Sequence, residues 1–210
     1  MVYPIARILR PVITFPVKQV EGLENLPKDI PFVVAANHTS FMDFMVAALT
    51  ITKHIKKRKI YVISAMILFF DFLAQIIFSE FGGSIRVKKK NRGGFLKSAI
   101  MQLRKGNIII IFPEGVPNKK PDLRKGKVGV ARLVLTGQVP VVPMGITGTL
   151  YVWSKLRLIP RPNKKVVVTI GKPMYFDEDY DKSEDYETLV KVTRIIMKEI
   201  GKLTNQDYPF

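Results

Sequence analysis

Residues 31–51 read PFVVAANHTSFMDFMVAALTI. The first part, PFVVAAN, is a short apolar run entered after Pro27 and Pro31, the pattern of a buried strand. The second, FMDFMVAALTI, reads as a helix, and the polar residues Asn37 to Ser40 fill the turn between them. The same alternation continues downstream. IYVIS (60–64) is a β-branched strand, 66–79 reads as a helix, and GSIRV (83–87) is a short strand after a Gly-Gly turn. Phe95, Leu96, Ala99, Ile100 and Leu103 share one face of a helix that Gly106 ends. NIIIIF (107–112) is nearly continuous in apolar residues, as in a strand covered on both sides. A helix over Lys127–Leu135, stopped by Gly137, precedes the strands VPVVPMGI (139–146) and KVVVTIG (165–171). Leu189, Val192, Ile196, Ile200 and Leu203 mark a last amphipathic helix.

This order predicts an α/β fold: a single domain with a central mixed, largely parallel sheet flanked by helices. Residues 1–30 are read as an N-terminal apolar and basic arm, and 31–210 as the folded domain. Sites in such folds gather at the loops leaving the carboxyl ends of strands.

The chain has 210 residues, enough for a large core without covalent staples. With 47% hydrophobic residues it is not a disordered or low-complexity chain. It has no Cys and only His38 and His54, which excludes a disulfide scaffold and a Cys nucleophile, and no metal site is expected. The net charge is +17, from 34 Lys and Arg against 17 Asp and Glu. Residues 177–210 are nevertheless acidic, with nine acids against five bases, so the rest is more basic still. Such a field draws polyanions: nucleic acid, an anionic membrane surface or phosphorylated small molecules.

The opening segment MVYPIARILRPVITFPV is interrupted by Pro4, Pro11 and Pro16, so no signal peptide is expected. It reads either as an irregular arm on the body or as an interfacial membrane anchor. Ile60–Phe78 is apolar except for Ser64, Asp71 and Gln75. A central Asp is costly in hydrocarbon, so strand plus helix is favoured over a membrane span.

Four segments draw chemical interest. In Asn37-His38-Thr39-Ser40-Phe41-Met42-Asp43, His38 is the side chain best matched to general-base work near neutral pH. Inside one helix, residues five apart would lie about 140° apart around the axis. Ser40 followed three residues later by Asp43 resembles a capping box, however, which would put His38 on the chain entering the helix, where its ring can fold back to Asp43. The alternative is that Ser40 and Asp43 only cap a helix. Phe112-Pro113-Glu114-Gly115 sets a carboxylate at the end of a strand, and Gly115 permits positive φ or close approach of a ligand. In Gly83-Ser84-Ile85-Arg86, the Arg fork suits phosphate or carboxylate, or a structural ion pair. Val139-Pro140-Val141-Val142-Pro143-Met144 carries no reactive group.

In this order, the blocks NHTSFMD, GGSIRV, IFPEG and VPVVPM resemble those of the glycerolipid acyltransferase family typified by 1-acylglycerol-3-phosphate acyltransferase. They span 37–144, about half the chain. The resemblance implies a glycerol-3-phosphate acyltransferase-like fold and a role in phospholipid biosynthesis. The implied reaction passes a fatty acyl group from acyl-coenzyme A or acyl carrier protein to the hydroxyl of a lysophospholipid, without a cofactor or metal. His38 would be the base and Asp43 its orienting partner. Arg86 would hold the acceptor phosphate, Glu114 and Gly115 would position the glycerol, and Ser40, Lys119 and Lys125 would line the substrate site. Backbone N–H groups at the helix start would stabilise the oxyanion. One departure stands out: where the family often continues with Thr-Arg-Ser, this chain has Val116-Pro117-Asn118. An acceptor other than lysophosphatidate, such as another lysophospholipid, glycerol 3-phosphate or a glycolipid, is the alternative.

The resemblance also implies peripheral or monotopic attachment to an anionic membrane on its cytoplasmic face. A nucleic-acid-binding module would account for the charge but not for NHTSFMD or FPEG, so no nucleic-acid partner is expected.

Overall fold

Seven strands lie in one sheet, in the order β1-β7-β6-β2-β5-β3-β4. The computed structural model describes residues 15–40, 42–64, 82–87, 94–118, 120, 122–152 and 165–210. The strands are β1 (Val17–Glu21), β2 (Val33–Ala36), β3 (Ile60–Ser64), β4 (Gly82–Arg86), β5 (Ile108–Ile111), β6 (Val141–Thr147) and β7 (Val166–Ile170). All neighbours pair in parallel except β6 with β7. The helices are α1 (Met42–His54), α2 (Gly94–Arg104), α3 (Gly129–Gly137), a single turn α4 (Thr149–Val152) and α5 (Tyr186–Thr204). The fold is therefore the α/β domain with a mixed, mostly parallel sheet that the alternating pattern predicts. The expected helix over 66–79, the apolar opening through Thr14 and the Lys88–Lys90 run lie outside the described residues.

The central strands explain the apolar runs. Side chains alternate along a strand, and here both faces are covered. Val34 and Ala36 of β2, Ile108 and Ile110 of β5, and Val142, Met144 and Ile146 of β6 join the layer that holds α1. Val33, Ala35, Ile109, Ile111 and Val141 join the opposite layer with α2, α3 and α5. Each fully buried Ile or Val contributes about 1.5–3 kcal/mol relative to exposure. Helix α5 buries Leu189, Val192, Ile196 and Ile200 at three- and four-residue spacing. Asp185 caps it, accepting from Thr188 N–H at 2.8 Å.

Two local differences from the sequence reading have physical causes. Strand β1 lies within the stretch read as an arm, yet it pairs with β7 at the sheet edge. Its residues VKQVE bury little, so periodicity does not reveal it. Helix α3 starts at Gly129 rather than Lys127. The preceding backbone is held elsewhere, with Arg124 N–H on Glu114 and Lys127 N–H on the carbonyl of Pro113.

Strands β6, β2 and β5 are adjacent and parallel, so their carboxyl ends open on one edge. Arg86 ends β4 at the same edge, two strands beyond β5. At the end of β6 the chain turns through Gly148, whose φ is +90°. A Cβ there would lie 2.0 Å from the carbonyl oxygen of Lys165. Gly148→Ala is expected to cost about 2 kcal/mol or more in urea unfolding, from backbone strain and this clash. An unchanged unfolding midpoint would show that the turn has another solution.

Candidate active site

The turn from β2 into α1 is organised by one carboxylate. Asp43 has no solvent exposure, and its Oδ2 accepts from Thr39 N–H at 2.7 Å and Ser40 N–H at 2.7 Å. Ser40 Oγ in turn accepts from Met42 N–H at 3.1 Å. The two residues therefore form the reciprocal cap that their spacing predicts. His38 sits just before this cap, and its Nδ1 lies 2.9 Å from Asp43 Oδ2. A carboxylate can only accept here, so Nδ1 carries the proton and Nε2 keeps its lone pair. The ring stacks on Phe112 at the end of β5, with centroids 4.2 Å apart and planes 22° from parallel. Its side chain remains 13% exposed, enough to present an edge to a substrate.

Neighbouring strands lock this turn in place. The side chain of Asn37 behaves like an added rung on β6, donating to Ile146 C=O at 2.8 Å and accepting from Ile146 N–H at 2.7 Å. From β5, Glu114 Oε1 accepts from His38 N–H at 2.8 Å and Oε2 accepts from Arg124 N–H at 3.2 Å. Asn118 N–H donates to His38 C=O at 2.7 Å, so Val116-Pro117-Asn118 folds back on the histidine. Gly115 takes φ +79°, and a Cβ there would lie 2.4 Å from the Lys127 ammonium nitrogen. Lys127 is exposed, and among the described residues no acid forms an ion pair with it.

Several residues that the resemblance turns toward substrate are used by the protein itself. Ser40 is buried and caps α1. Glu114 is 3% exposed, and its two oxygens accept from the backbone amides of His38 and Arg124. The amides of Thr39, Ser40, Met42 and Asp43 are bonded within the cap. Lys125 is exposed on the segment following Glu114. Arg86 has its backbone at the carboxyl edge, but its side chain, like all of Lys119, lies outside the described structure. Two residues escape the sequence reading. Lys127 stands beside Lys125 with no signal to separate them. Thr149 donates its hydroxyl to Asp43 Oδ1 across 106 positions of sequence, which no local pattern reveals.

Burial raises the Glu114 carboxyl above its ordinary range, against the His38 and Arg124 amides and the charge of His38, which lower it. A carboxyl raised by folding holds its proton more tightly folded than unfolded. The stability it contributes is complete below the ordinary value of 4.5 and is lost as pH rises through the raised one. In Glu114→Gln, one amide partner would face an NH2 donor instead of an acceptor, a loss of about 1–3 kcal/mol. Urea unfolding should find Glu114→Gln less stable at pH 5, with the gap to the parent narrowing as pH rises. A gap that widens with pH would mean that the two amides outweigh burial.

Comparison with known proteins agrees with this architecture. The acyltransferase family profile matches residues 18–147. The 1-acyl-sn-glycerol-3-phosphate acyltransferase of Bacillus subtilis is 27% identical over 195 residues, covering 90% of this chain and 88% of that protein. The chloroplastic enzyme of that name from Brassica napus is 29% identical over 165 residues, but the chain spans only 44% of its length. The crystal structure of the 1-acyl-sn-glycerophosphate acyltransferase PlsC from Thermotoga maritima superposes with a TM-score of 0.67 at 23% identity. It covers 95% of this chain and 78% of that one, a likeness that establishes the fold. With the profile covering more than half of its length, this chain belongs to the acyltransferase family.

Proposed function

We propose that this protein transfers a fatty acyl group from an acyl thioester to the free hydroxyl of 1-acylglycerol 3-phosphate, giving phosphatidate. The observation that carries the reading is His38, held through Nδ1 by Asp43 at the carboxyl edge of the sheet and 13% exposed. The similarity to 1-acyl-sn-glycerol-3-phosphate acyltransferases from two organisms supports the choice of acceptor.

In this mechanism the acceptor hydroxyl attacks the thioester carbonyl while its proton passes to His38 Nε2. Asp43 keeps the other nitrogen protonated and offsets the charge of the imidazolium that forms. The tetrahedral oxyanion collapses, breaking the carbon–sulfur bond. The imidazolium then protonates the departing thiolate, which leaves as a free thiol and restores neutral His38. Stacking on Phe112 limits ring rotation, so Nε2 is aimed before substrate arrives. Arg86, Lys125 and Lys127 are the cations proposed to meet the phosphates of acceptor and coenzyme A.

Both reacting lipids partition into bilayers, so the carboxyl edge is proposed to face an anionic membrane. Exposed Val116 and Tyr151 lie close in sequence to Gly115 and Thr149 at that edge, and the chain's net charge is +17. Among the described residues no helix is long and apolar enough to cross a membrane.

An assay with palmitoyl-coenzyme A and lysophosphatidate, read by mass spectrometry, tests the reaction. The parent should form phosphatidate, and His38→Ala should lose about 10²–10⁴ of the rate. Asp43→Asn should lose about as much by presenting the wrong His38 tautomer, a precedent known from other His–Asp pairs. No product from any lysophospholipid, glycerol 3-phosphate or glycolipid, with either donor, would overturn the enzymatic reading. For docking, the protein should sediment with phosphatidylglycerol vesicles at 0.01 M salt. It should release as salt shortens the screening length from about 30 Å to about 8 Å at 0.15 M. Equal binding to neutral vesicles would reject electrostatic docking, and stronger binding to DNA would favour the nucleic-acid reading.

A further inference from the structure

A buried carboxylate needs a donor for each oxygen it turns away from water. Asp43 Oδ2 is supplied by His38, Thr39 and Ser40. Oδ1 faces the other way and is supplied by the hydroxyl of Thr149. Thr149 is itself fully buried, at the start of α4 just past the Gly148 turn. It has one hydroxyl proton, and that proton goes to Asp43. Toward Thr39 Oγ1, 3.1 Å away, it must therefore accept. A directed chain results: Thr39 donates to Thr149, Thr149 to Asp43, and His38 to the other oxygen of the same carboxylate.

We propose that Thr149 is a positioning residue for proton abstraction by His38, a role that rests on the acyl-transfer reading above. Holding Oδ1 fixes the plane of the carboxylate, and that plane aims Oδ2 at His38 Nδ1. Without the hydroxyl the carboxylate is left with a buried, unpartnered oxygen. It then turns to seek another donor, and the ring of His38 loses its orientation. Among the described residues, the other titratable groups near the pair are Glu114, on the His38 amide, and Lys127, across the Gly115 turn. Both belong to other elements, and a substitution at Thr149 leaves them in place.

The test compares Thr149→Val, which keeps the branched shape without the hydroxyl, with Thr149→Ser, which keeps the hydroxyl without the methyl. With palmitoyl-coenzyme A and lysophosphatidate, Thr149→Val should lower kcat by about 10- to 100-fold, the range for groups that orient a functional His through a partner. KM for both substrates should stay within about twofold, because the hydroxyl does not meet substrate in this assignment. Thr149→Ser should recover most of kcat. Parent-like kcat in Thr149→Val, or a raised KM with kcat kept, would overturn the role. Thr149→Ser failing equally would assign the loss to packing.

A second readout does not need turnover. The chain has only two histidines, so the downfield proton NMR resonance of His38 Nδ1–H can be identified by its absence in His38→Ala. It should persist in the parent and Thr149→Ser, and shift or broaden through solvent exchange in Thr149→Val. An unchanged resonance would sink the positioning role even if the parent proved inactive with every acceptor, a result that would instead defeat the acyl-transfer reading.

Discussion

The carboxyl group of Asp43, enclosed without solvent, is the constraint on which the site depends. A bare charge in that position would cost several kcal/mol. Its donors come from the strand-to-helix turn and from the end of β6, so satisfying it joins two parts of the chain 106 residues apart. The demand also accounts for the shape of the turn. Thr39 and Ser40 direct their amides inward because Asp43 is there to receive them, and that inward curl brings His38 into range. Helix capping and the orientation of His38 are thus one interaction, not two competing readings of the same residues.

Glu114 plays a parallel part on the neighbouring strand. Its buried carboxyl ties the amide of His38 to that of Arg124, so the backbone of His38 is fixed to the loop that precedes α3. Tyr208 extends this tie, its hydroxyl accepting from Gly126 N–H at 3.0 Å. The basic segment Arg124–Lys127 is accordingly braced at both ends, and its cations project from a held backbone. The Val116-Pro117-Asn118 departure makes sense in the same terms. Asn118 fastens that turn to the carbonyl of His38, and Pro117 donates no amide that would need a partner. The departure thus keeps the turn on the base while changing the charge displayed beside it.

Much of this is legible in the sequence, for identifiable reasons. Strands such as NIIIIF and FVVAA are buried on both faces, so they are nearly pure in apolar residues and stand out. The Ser40–Asp43 spacing is local, and a cap is set by local geometry, so the placement of His38 before the helix follows from it. What stays hidden is either too polar or too distant. Strand β1 buries little and carries no pattern. Thr149 follows Thr147-Gly148, an ordinary turn pair, and its contact with Asp43 exists only once β6 lies beside β2. Glu114 illustrates a different limit: the partners it has in the fold, the amides of His38 and Arg124, are backbone groups that no side-chain pattern encodes.

The committed Nδ1 also bears on what His38 can do. A ring with one nitrogen held by a buried carboxylate offers only Nε2, and stacking on Phe112 leaves that nitrogen little freedom to swing toward an electrophile. As a nucleophile it would have to move onto the carbonyl carbon and carry an acyl group away from a packed ring. As a base it needs only to receive a proton along a line already set, and the imidazolium it becomes lies against Asp43. Under the proposed function, the contacts that fix the pair therefore favour direct transfer between the two substrates over a covalent intermediate. It also explains why the machinery resides in hydrogen bonds between strand ends, where small displacements are resisted by the sheet itself.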